Sequence, residues 1–554
     1  MESFHALDWI VLGLFGLGLL AIVIWVSRMK EDTSSDYFLA GREATWFAIG
    51  ASIFASNIGS EHLVGLAGAG ASSGMAMAHW EMHGWIILLL GWVFVPFYSR
   101  SKVFTMPEFL ERRYNAGARS LLSIISLVSY ILTKVAVTVY AGGIVFKEVF
   151  GIDELWGIDF FWIGAFSLVI LTGIYTVIGG MKSVLWTSVL QTPVLLFGSI
   201  VILVVGLAKV GGWNEMMEIC RSNVTEFGDP MTSLIRSSKD QEFPWTGVIL
   251  GSAIIGFWYW CTDQYIVQRV LSGKNETQAR RGSIFGAYLK LLPVFIFLIP
   301  GMIAFALNQK GMLDLSESDA AFPTLVSTLL PIGLKGIVVG GLIAALMSSL
   351  ASLFNSSAIL FTVDFYKKFK PESSEKHLVL VGRIATTVIV ILGMLWIPVM
   401  KGIGKVLYEY LQDVQSILSP GIASVFLLGV FWKRATPAAG FTGLAVGFVL
   451  GITRLMMTVF EGSINPDSMI YTIFIDTNWL HYEIYLFALC LLVIIVVTYF
   501  TKPASEEKLV GLTYSSVTSE HRVATRASWN KWDLINTTII ITVIVLFYIY
   551  FLNG

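Results

Sequence analysis

The chain has 554 residues, of which 55% are hydrophobic and only 14% are charged, with a mean hydropathy of +0.74 and a net charge of −1. Soluble domains carry about 25% charged residues, so this composition excludes a water-exposed globule. The near-zero net charge gives no basis for a nucleic-acid partner. The cysteines Cys220, Cys261 and Cys490 are too few and too scattered for a disulfide framework or a structural zinc site.

Apolar windows predict the membrane spans, because a helix needs about 20 mostly apolar residues to cross a bilayer. In chain order they lie near residues 8–27, 45–69, 80–98, 121–146, 159–180, 188–208, 244–267, 283–307, 333–361, 381–400, 406–432, 438–458, 480–500 and 532–552. The N-terminal MESFHALD has no Lys or Arg before the first window, so we do not expect a cleaved signal peptide. The sequence predicts an all-α polytopic membrane protein with about 14 transmembrane helices.

The distribution of positive charge predicts the orientation of these spans. If both termini lie outside, roughly 25 Lys and Arg residues fall on inside segments and about 10 on outside segments. The positive-inside rule therefore predicts a multi-pass protein of the cell membrane with both termini extracytoplasmic. The largest polar segments, about 210–243 outside and 501–531 inside, are too short for a second folded domain of ordinary size.

Polar and charged residues interrupt several of the windows. A charge at the centre of a span costs about 2.5–3.5 kcal/mol on insertion, so such residues usually face a cavity. The residues concerned are Asn57, Glu61, His62, His79, Glu81, His83, Asp263, Lys290, Gln412 and Asp413. Structural explanations stay open for three of them: His79 and His83 at a water interface, and Lys290 snorkelling towards one.

Two windows have the composition of interrupted helices. The second window contains ASIFASNIGSEHLVGLAGAGAS, which is rich in small residues and has a polar insert at mid-depth. The seventh contains GVILGSAIIGFWYWCTDQYIVQR, which changes from small apolar to aromatic and then to polar residues. Interrupted helices at related places in two halves of a chain indicate a transporter binding site, although small residues also serve close helix packing.

The ninth window carries a group of hydroxyl side chains. Its serines are Ser348, Ser349, Ser352, Ser356 and Ser357. They either hydrogen-bond across helices or offer uncharged oxygens to a monovalent cation, since Ca²⁺ and Mg²⁺ prefer carboxylates.

Four aromatic residues lie close to the polar ones. They are Trp80, Trp258, Tyr259 and Trp260. Such a group forms either an interfacial belt or flat walls for the apolar face of a sugar. The many hydrogen-bond donors and acceptors nearby, with no dominant charge, favour the sugar.

Three stretches of the chain resemble the sodium:solute symporter family, and most closely its sodium–glucose cotransporter branch. They are YTVIGGMKSV (175–184), WYWCTDQYIVQRVLSGKN (258–275) and FPTLVSTLLPIGLKGIVVGGLIAALMSSLASLFNSSAILFTVDFY (322–366). The similarity extends over roughly residues 37–434 and implies a LeuT-type core of two inverted five-helix repeats.

This resemblance also implies a division of the chain. Residues 1–44 would hold one extra helix and the first inside loop, and residues 45–434 the transport core. Residues 435–554 would hold three further helices and the cytoplasmic loop at about 501–531.

The resemblance implies one sugar site and one sodium site. The sugar-contacting positions of the branch, including an aromatic gate position at Tyr259, match Asn57, His62, Glu81, Tyr259, Trp260, Lys290 and Gln412. The main sodium site matches the backbone carbonyls of Ala55, Ile58 and Ala345 and the hydroxyls of Ser348 and Ser349. Glu61 has no ligand role in this comparison, and we expect it to be a structural partner.

The function implied is sodium-coupled import of an aldohexose, glucose or galactose, by alternating access. Ser188 replaces an Asp that members of the branch commonly carry and that is linked to a second cation, and Ala351 lacks the hydroxyl of a two-sodium member. We therefore expect one sodium ion per sugar. A myo-inositol symporter and a sugar-gated sensor or channel remain open alternatives, as does the oligomeric state. An enzyme is not expected, because GxSxG, HExxH and paired-carboxylate motifs do not occur at a membrane face.

Overall fold

The computed structural model describes residues 4–28, 33–59, 61–315, 317–401 and 407–552. This part of the chain is mostly α-helical, as the apolar windows predict. The α-helices are Ala6–Ser27, Ser34–Leu39, Trp46–Asn57, Ala67–Ser72, Ala78–Glu81, Gly84–Leu89, Val95–Ser101, Met106–Arg113, Ala116–Ser129, Ala136–Phe150, Phe160–Val210, Trp213–Ser222, Trp245–Phe257, Gln264–Leu271, Glu276–Lys290, Ile299–Gln309, Ala321–Leu329, Leu334–Ile359, Lys367–Phe369, Glu375–Lys401, Leu407–Phe431, Pro437–Val459, Met469–Tyr471, Trp479–Phe500, Glu506–Leu509, Ser519–Ala527 and Lys531–Tyr550.

Shorter elements join or interrupt these helices. The π-helical segments are Glu61–Leu66, Leu90–Phe94, Tyr130–Val135, Trp258–Thr262, Val294–Leu298, Leu360–Tyr366 and Thr472–Asp476. The 3₁₀ segments are Ala40–Arg42, Gly74–Met77, Ser318–Ala320, Glu461–Ser463 and Tyr514–Ser516. Strands Glu154–Leu155 and Ile158–Asp159 form one antiparallel hairpin, with Glu154 opposite Asp159.

Ten helices in the described part of the chain are long and apolar enough to cross a membrane. They are Ala6–Ser27, Gly74–Ser101, Phe160–Ile178, Gly180–Val210, Glu276–Gln309, Leu334–Phe369, Leu411–Phe431, Pro437–Thr458, Trp479–Phe500 and Lys531–Tyr550. The second and seventh windows consist of shorter helical pieces, and the fourth joins Ala116–Ser129 to Ala136–Phe150 through a π-helical segment. The count of about 14 spans and the division into two five-helix repeats therefore stay predictions.

Helix Leu334–Ile359 lies in the middle of the bundle, and nearly all of its residues are buried. By contrast, only 28% of the span Trp479–Phe500 and 22% of the span Lys531–Tyr550 are buried. At the N-terminus of the central helix, Asp8 Oδ1 accepts hydrogen bonds from the backbone nitrogens of Gly333 at 2.7 Å and Gly336 at 3.0 Å. The first helix is thus fixed to the core by a carboxylate at the positive end of the central helix dipole.

Small residues bring two of the helices into close contact. A Cβ on Gly301 would overlap the carbonyl oxygen of Ala67, and one on Gly70 would overlap the carbonyl oxygen of Leu298. The small residues of the second window therefore do serve helix packing. The close packing occurs next to the interruption, so the second window has both features.

Both predicted interruptions are present. Helix Trp46–Asn57 stops at Ile58, whose φ of −77° and ψ of 95° leave the helical region, and the chain becomes helical again at Glu61. The π-helical segment Trp258–Thr262 stops at Asp263, where φ is −75° and ψ is 129°. The backbone groups at such ends have no partners within their own helix and are available to other groups.

Candidate functional site

A small cavity of about 30 Å³ lies beside the two interrupted helices. All seven residues predicted to contact the sugar line it: Asn57, His62, Glu81, Tyr259, Trp260, Lys290 and Gln412. The other described residues of its wall are Glu61, Trp80, His83, Ile255, Gly256 and Gln415. This space admits only water-sized groups, so the wall residues would have to move apart for a larger ligand to enter.

A buried ion pair forms one side of the cavity. Lys290 Nζ donates hydrogen bonds to Glu81 Oε2 at 2.6 Å and to Asn57 Oδ1 at 3.2 Å. Lys290 is only 4% exposed and Glu81 only 1%, so the snorkelling interpretation of Lys290 is wrong. A buried ammonium group requires such a partner, because removing it from water is costly.

Several polar groups in the cavity wall have unused hydrogen-bonding capacity. His62 Nε2 lies 3.3 Å from Glu81 Oε2, but neither ring nitrogen of His62 makes a hydrogen bond with a described residue. The same holds for Gln412 Oε1 and Gln415 Nε2, which are also buried. An unmet buried polar group typically costs about 1–3 kcal/mol, so a ligand with several hydroxyls would be stabilised here.

Aromatic rings also line the cavity. Tyr259 and Trp260 pack edge to face with ring centroids 4.9 Å apart, and Asn57 Nδ2 donates to the Tyr259 hydroxyl at 3.3 Å. Trp80 is stacked on Trp479 at 5.8 Å. Trp80, Tyr259 and Trp260 are all buried, so the interfacial-belt interpretation is wrong for them.

The residues predicted to bind sodium lie where the first interrupted helix meets Leu334–Ile359. Ser349 Oγ donates to the carbonyl of Ser56 at 3.1 Å, and Ser348 Oγ lies 3.3 Å from Ser188 Oγ. The last carbonyls of a helix carry the negative end of its dipole, so the helix end at Asn57 directs oxygens towards a cation. A serine hydroxyl that donates its hydrogen still has lone pairs for a metal ion.

A second buried charge cluster occupies the break at Asp263. Lys134 Nζ lies 3.4 Å from Asp263 Oδ2, and the Tyr130 hydroxyl donates to Asp263 Oδ1. The lysine also lies over the rings of Tyr259 and Tyr265, at 4.2 and 4.0 Å from their centroids. Asp263 Oδ1 accepts from the backbone nitrogen of Tyr265, so this carboxylate caps a helix and is not part of the cavity wall.

Both histidines for which a water interface was predicted are buried, so that interpretation is wrong. The ring nitrogens of His79 lie 2.9 Å from the Tyr548 hydroxyl and 2.9 Å from the Leu234 carbonyl, which indicates a structural role. His83 lines the cavity, and its Nε2 has no hydrogen-bond partner among the described residues.

Glu61 and Gln415 are cavity residues that the sequence analysis did not assign to the site. Gln415 lies one helical turn after Gln412, so helical periodicity was a signal that would have placed it on the same face. Glu61 lines the cavity and interacts electrostatically with Lys134 and Lys290, one lysine of each buried charge cluster.

Comparison with known proteins identifies the family. The model of the sodium:solute symporter family matches residues 37–447. The chain belongs to the sodium:solute symporter family. Sodium is thus the co-transported ion of this symporter, as the resemblance implied.

Curated relatives of this symporter differ in the solute that their names specify. It is 36% identical to sodium/glucose cotransporter 4 of Danio rerio over 559 residues, covering 96% of this chain and 84% of the relative. It is 37% identical to sodium/myo-inositol cotransporter 2 of Mus musculus over 551 residues, covering 93% and 80%. Its identity to sodium/glucose cotransporter 1 of Oryctolagus cuniculus is 36% over 546 residues, covering 92% and 81%.

Among solved structures, the symporter is similar to a Na⁺-coupled sialic acid symporter in a substrate-bound, outward-open state. The TM-score is 0.75 at 22% identity, and the match covers 91% of this chain and 99% of that one. The two proteins therefore share a fold.

Proposed function

We propose that this protein imports an aldohexose, glucose or galactose, across the cell membrane by alternating access, driven by one sodium ion per sugar. The observation that carries the proposal is the cavity whose wall combines the Lys290–Glu81 pair and Asn57 with the rings of Tyr259 and Trp260. A hexose has hydroxyls for the polar side and an apolar ring face for the aromatic side.

In this mechanism the first interrupted helix contributes to both sites. The carbonyls of Ala55 and Ile58, with Ala345, Ser348 and Ser349, bind sodium and favour the outward-open state. The sugar then forms hydrogen bonds with Asn57, Glu81, Lys290 and Gln412. One of its hydroxyls also bonds to a ring nitrogen of His62. Because Asn57 and Ile58 are consecutive residues, occupancy of one site alters the position of ligands at the other.

A myo-inositol symporter is the second candidate for this site. The similarity to sodium/myo-inositol cotransporter 2, at 37% identity, favours it as much as the glucose relatives favour a hexose. A polyol presents a similar ring of hydroxyls to the same polar side chains.

The test is uptake of labelled glucose into liposomes that contain the purified protein, with sodium outside and potassium inside. We expect accumulation that requires sodium and that unlabelled galactose inhibits more strongly than myo-inositol. Stronger inhibition by myo-inositol would show that the substrate is the polyol and not the hexose. Sugar-evoked sodium current without sugar accumulation would instead identify a sensor or channel.

A further inference from the structure

A second cavity lies between helix Val95–Ser101 and the 501–531 segment. It shares no lining residue with the first cavity. Its volume is about 410 Å³. The residues that line it are Arg100, Ser101, Arg112, Lys508, Val510, Gly511, Leu512 and His521. We refer to it as the Arg100 pocket.

Basic groups dominate the wall of the Arg100 pocket. It contains two guanidinium groups, one ammonium group and one imidazole, and there is no carboxylate among its described lining residues. Arg112 is paired with Glu108, at 2.7 Å, but Glu108 is not part of the wall. Within the described chain, no carboxylate lies within ion-pair distance of Arg100 or Lys508. The pocket therefore has an excess of positive charge.

Some hydrogen-bond donors in the pocket are unused, although Lys508 Nζ donates to the Tyr114 carbonyl at 2.7 Å and Arg112 Nη1 donates to the Ser101 carbonyl. Arg100 Nη2 donates to Thr525 Oγ1 at 2.5 Å, but its Nε and Nη1 are buried without a partner among the described residues. His521 Nδ1 is also buried without a hydrogen-bond partner among the described residues. The two unused nitrogens lie on different edges of the guanidinium, and each can donate one charge-assisted hydrogen bond to a phosphate oxygen if the side chain turns towards the pocket.

From this charge and these donors, we propose that the Arg100 pocket binds a phosphate-bearing anion. A phosphate monoester carries a charge of about −1.5 to −2 at pH 7 and has three acceptor oxygens, which complement two arginines and a lysine. The volume exceeds that of the phosphate group alone and leaves space for an attached organic group. The ligand is either a soluble phosphate ester or the headgroup of a lipid, since both present the same phosphate oxygens and basic pockets between membrane helices bind lipid headgroups.

Binding at this place would connect two parts of the molecule. Arg100 belongs to the same candidate span as Glu81 of the sugar cavity, Gly74–Ser101, whereas Lys508 and His521 belong to the 501–531 segment. An anion held by all three would fix that segment to the transport core. This assigns a ligand to a segment that the proposed transport function leaves unexplained.

The experiment measures binding to the full-length purified protein with glucose present to occupy the sugar cavity. The soluble probes are inorganic phosphate and glycerol 3-phosphate, and calorimetry in a neutral detergent measures their binding. The lipid probe is phosphatidic acid in phosphatidylcholine nanodiscs, followed by the amount retained after delipidation. The variants are Arg100→Gln and Lys508→Gln. Lys433→Gln is the matched control, because Lys433 is exposed and pairs with Glu506 outside the pocket.

We expect the wild type and Lys433→Gln to bind, and each pocket variant to bind about tenfold more weakly, since each loses a charged hydrogen-bond donor. Binding of glycerol 3-phosphate identifies a soluble ligand, and selective retention of phosphatidic acid alone identifies a lipid. If neither probe binds, or if both pocket variants bind as well as the control, the proposal is wrong. Lys508 is exposed, so its variant tests the pocket even if Arg100→Gln fails to fold. Because transport is not the readout, failure here is distinct from failure of the proposed function.

Discussion

At the scale of single residues, the ammonium of Lys290 joins polar and aromatic side chains of the proposed sugar cavity. It contacts Glu81 and Asn57, and its Nζ lies 5.3 Å from the centroid of the Trp260 ring. A substrate hydroxyl that binds here would replace one of the existing hydrogen bonds of Lys290. The affinity for the substrate would then depend on all three side chains that contact the lysine.

We predict that Lys290→Ala weakens sugar binding by between about fivefold and a hundredfold. The change leaves Glu81 buried without its partner, and an unmet buried group costs about 1–3 kcal/mol. Sugar affinity is measured by the concentration dependence of sodium-driven uptake in liposomes. Lys433→Ala is the control, since its ammonium is exposed and remote from the cavity. An unchanged sugar affinity in Lys290→Ala would exclude Lys290 from substrate binding.

At the scale of elements, the break in the first interrupted helix depends on a close approach to Leu334–Ile359. A Cβ on Gly59 would overlap Ser349 Oγ and lie 3.0 Å from Ser349 Cβ. The same serine is one of the proposed sodium ligands, so the contact controls both packing and ion binding.

We predict that Gly59→Ala lowers the apparent sodium affinity by at least about tenfold, because the added methyl group displaces the Ser349 hydroxyl. Sodium activation of sugar uptake measures this effect. Gly16→Ala is the matched control, because a Cβ at Gly16 meets no atom within 4 Å. If both variants show the sodium activation of the wild type, Ser349 is not a sodium ligand.

A buried ion pair links two further elements, the helix Ala116–Ser129 and the π-helical segment Leu360–Tyr366. Arg119 Nε lies 2.7 Å from Asp364 Oδ1, and Thr105 and Ser123 donate to the same carboxylate at 3.0 and 3.1 Å. Three side chains therefore depend on one buried acid.

We predict that Asp364→Ala lowers the free energy of unfolding by about 3–5 kcal/mol, the usual cost of removing one partner of a buried pair. The thermal unfolding midpoint of the purified protein in detergent reports the change. Glu506→Ala removes the exposed partner of Lys433, and we expect no measurable shift there. Equal midpoints for the two variants would show that the Asp364 network does not stabilise the fold.

At the scale of the whole molecule, the number of sodium ions sets the concentrating capacity. The Ser188 hydroxyl donates to the Val184 carbonyl at 2.6 Å and supplies no negative charge for a second cation. With one sodium ion, a potential of 100 mV contributes about 2.3 kcal/mol and a tenfold sodium gradient about 1.4 kcal/mol. Together they allow roughly 500-fold accumulation of sugar.

We predict that one positive charge moves with each sugar molecule. The measurement is the reversal potential of sugar-coupled flux in liposomes over a series of imposed sodium and sugar gradients. A slope that corresponds to two charges per sugar would contradict the assignment of a single sodium site. Ser188→Asp offers a second test, because a restored carboxylate is expected to increase the coupled charge.

The sequence by itself determined the class of the protein, the two interruptions and the residue types of the site. These follow from composition and from local patterns, since an apolar run with a polar insert has few stable arrangements in a bilayer. The break at Ile58 is an example, because its small and polar neighbours are consecutive in the chain. Helical spacing also contained the information that Gln415 accompanies Gln412.

Only the tertiary structure decided which polar groups meet. Lys290 and Glu81 are 209 positions apart, so no local pattern specifies their ion pair. In the same way, helix packing places His83 in the cavity wall and His79 within hydrogen-bond distance of Tyr548. It pairs Asp263 with Lys134, outside the cavity wall. A polar residue within a span must find a partner, but which partner it finds depends on how the helices pack, because every buried polar group competes for the few others within reach.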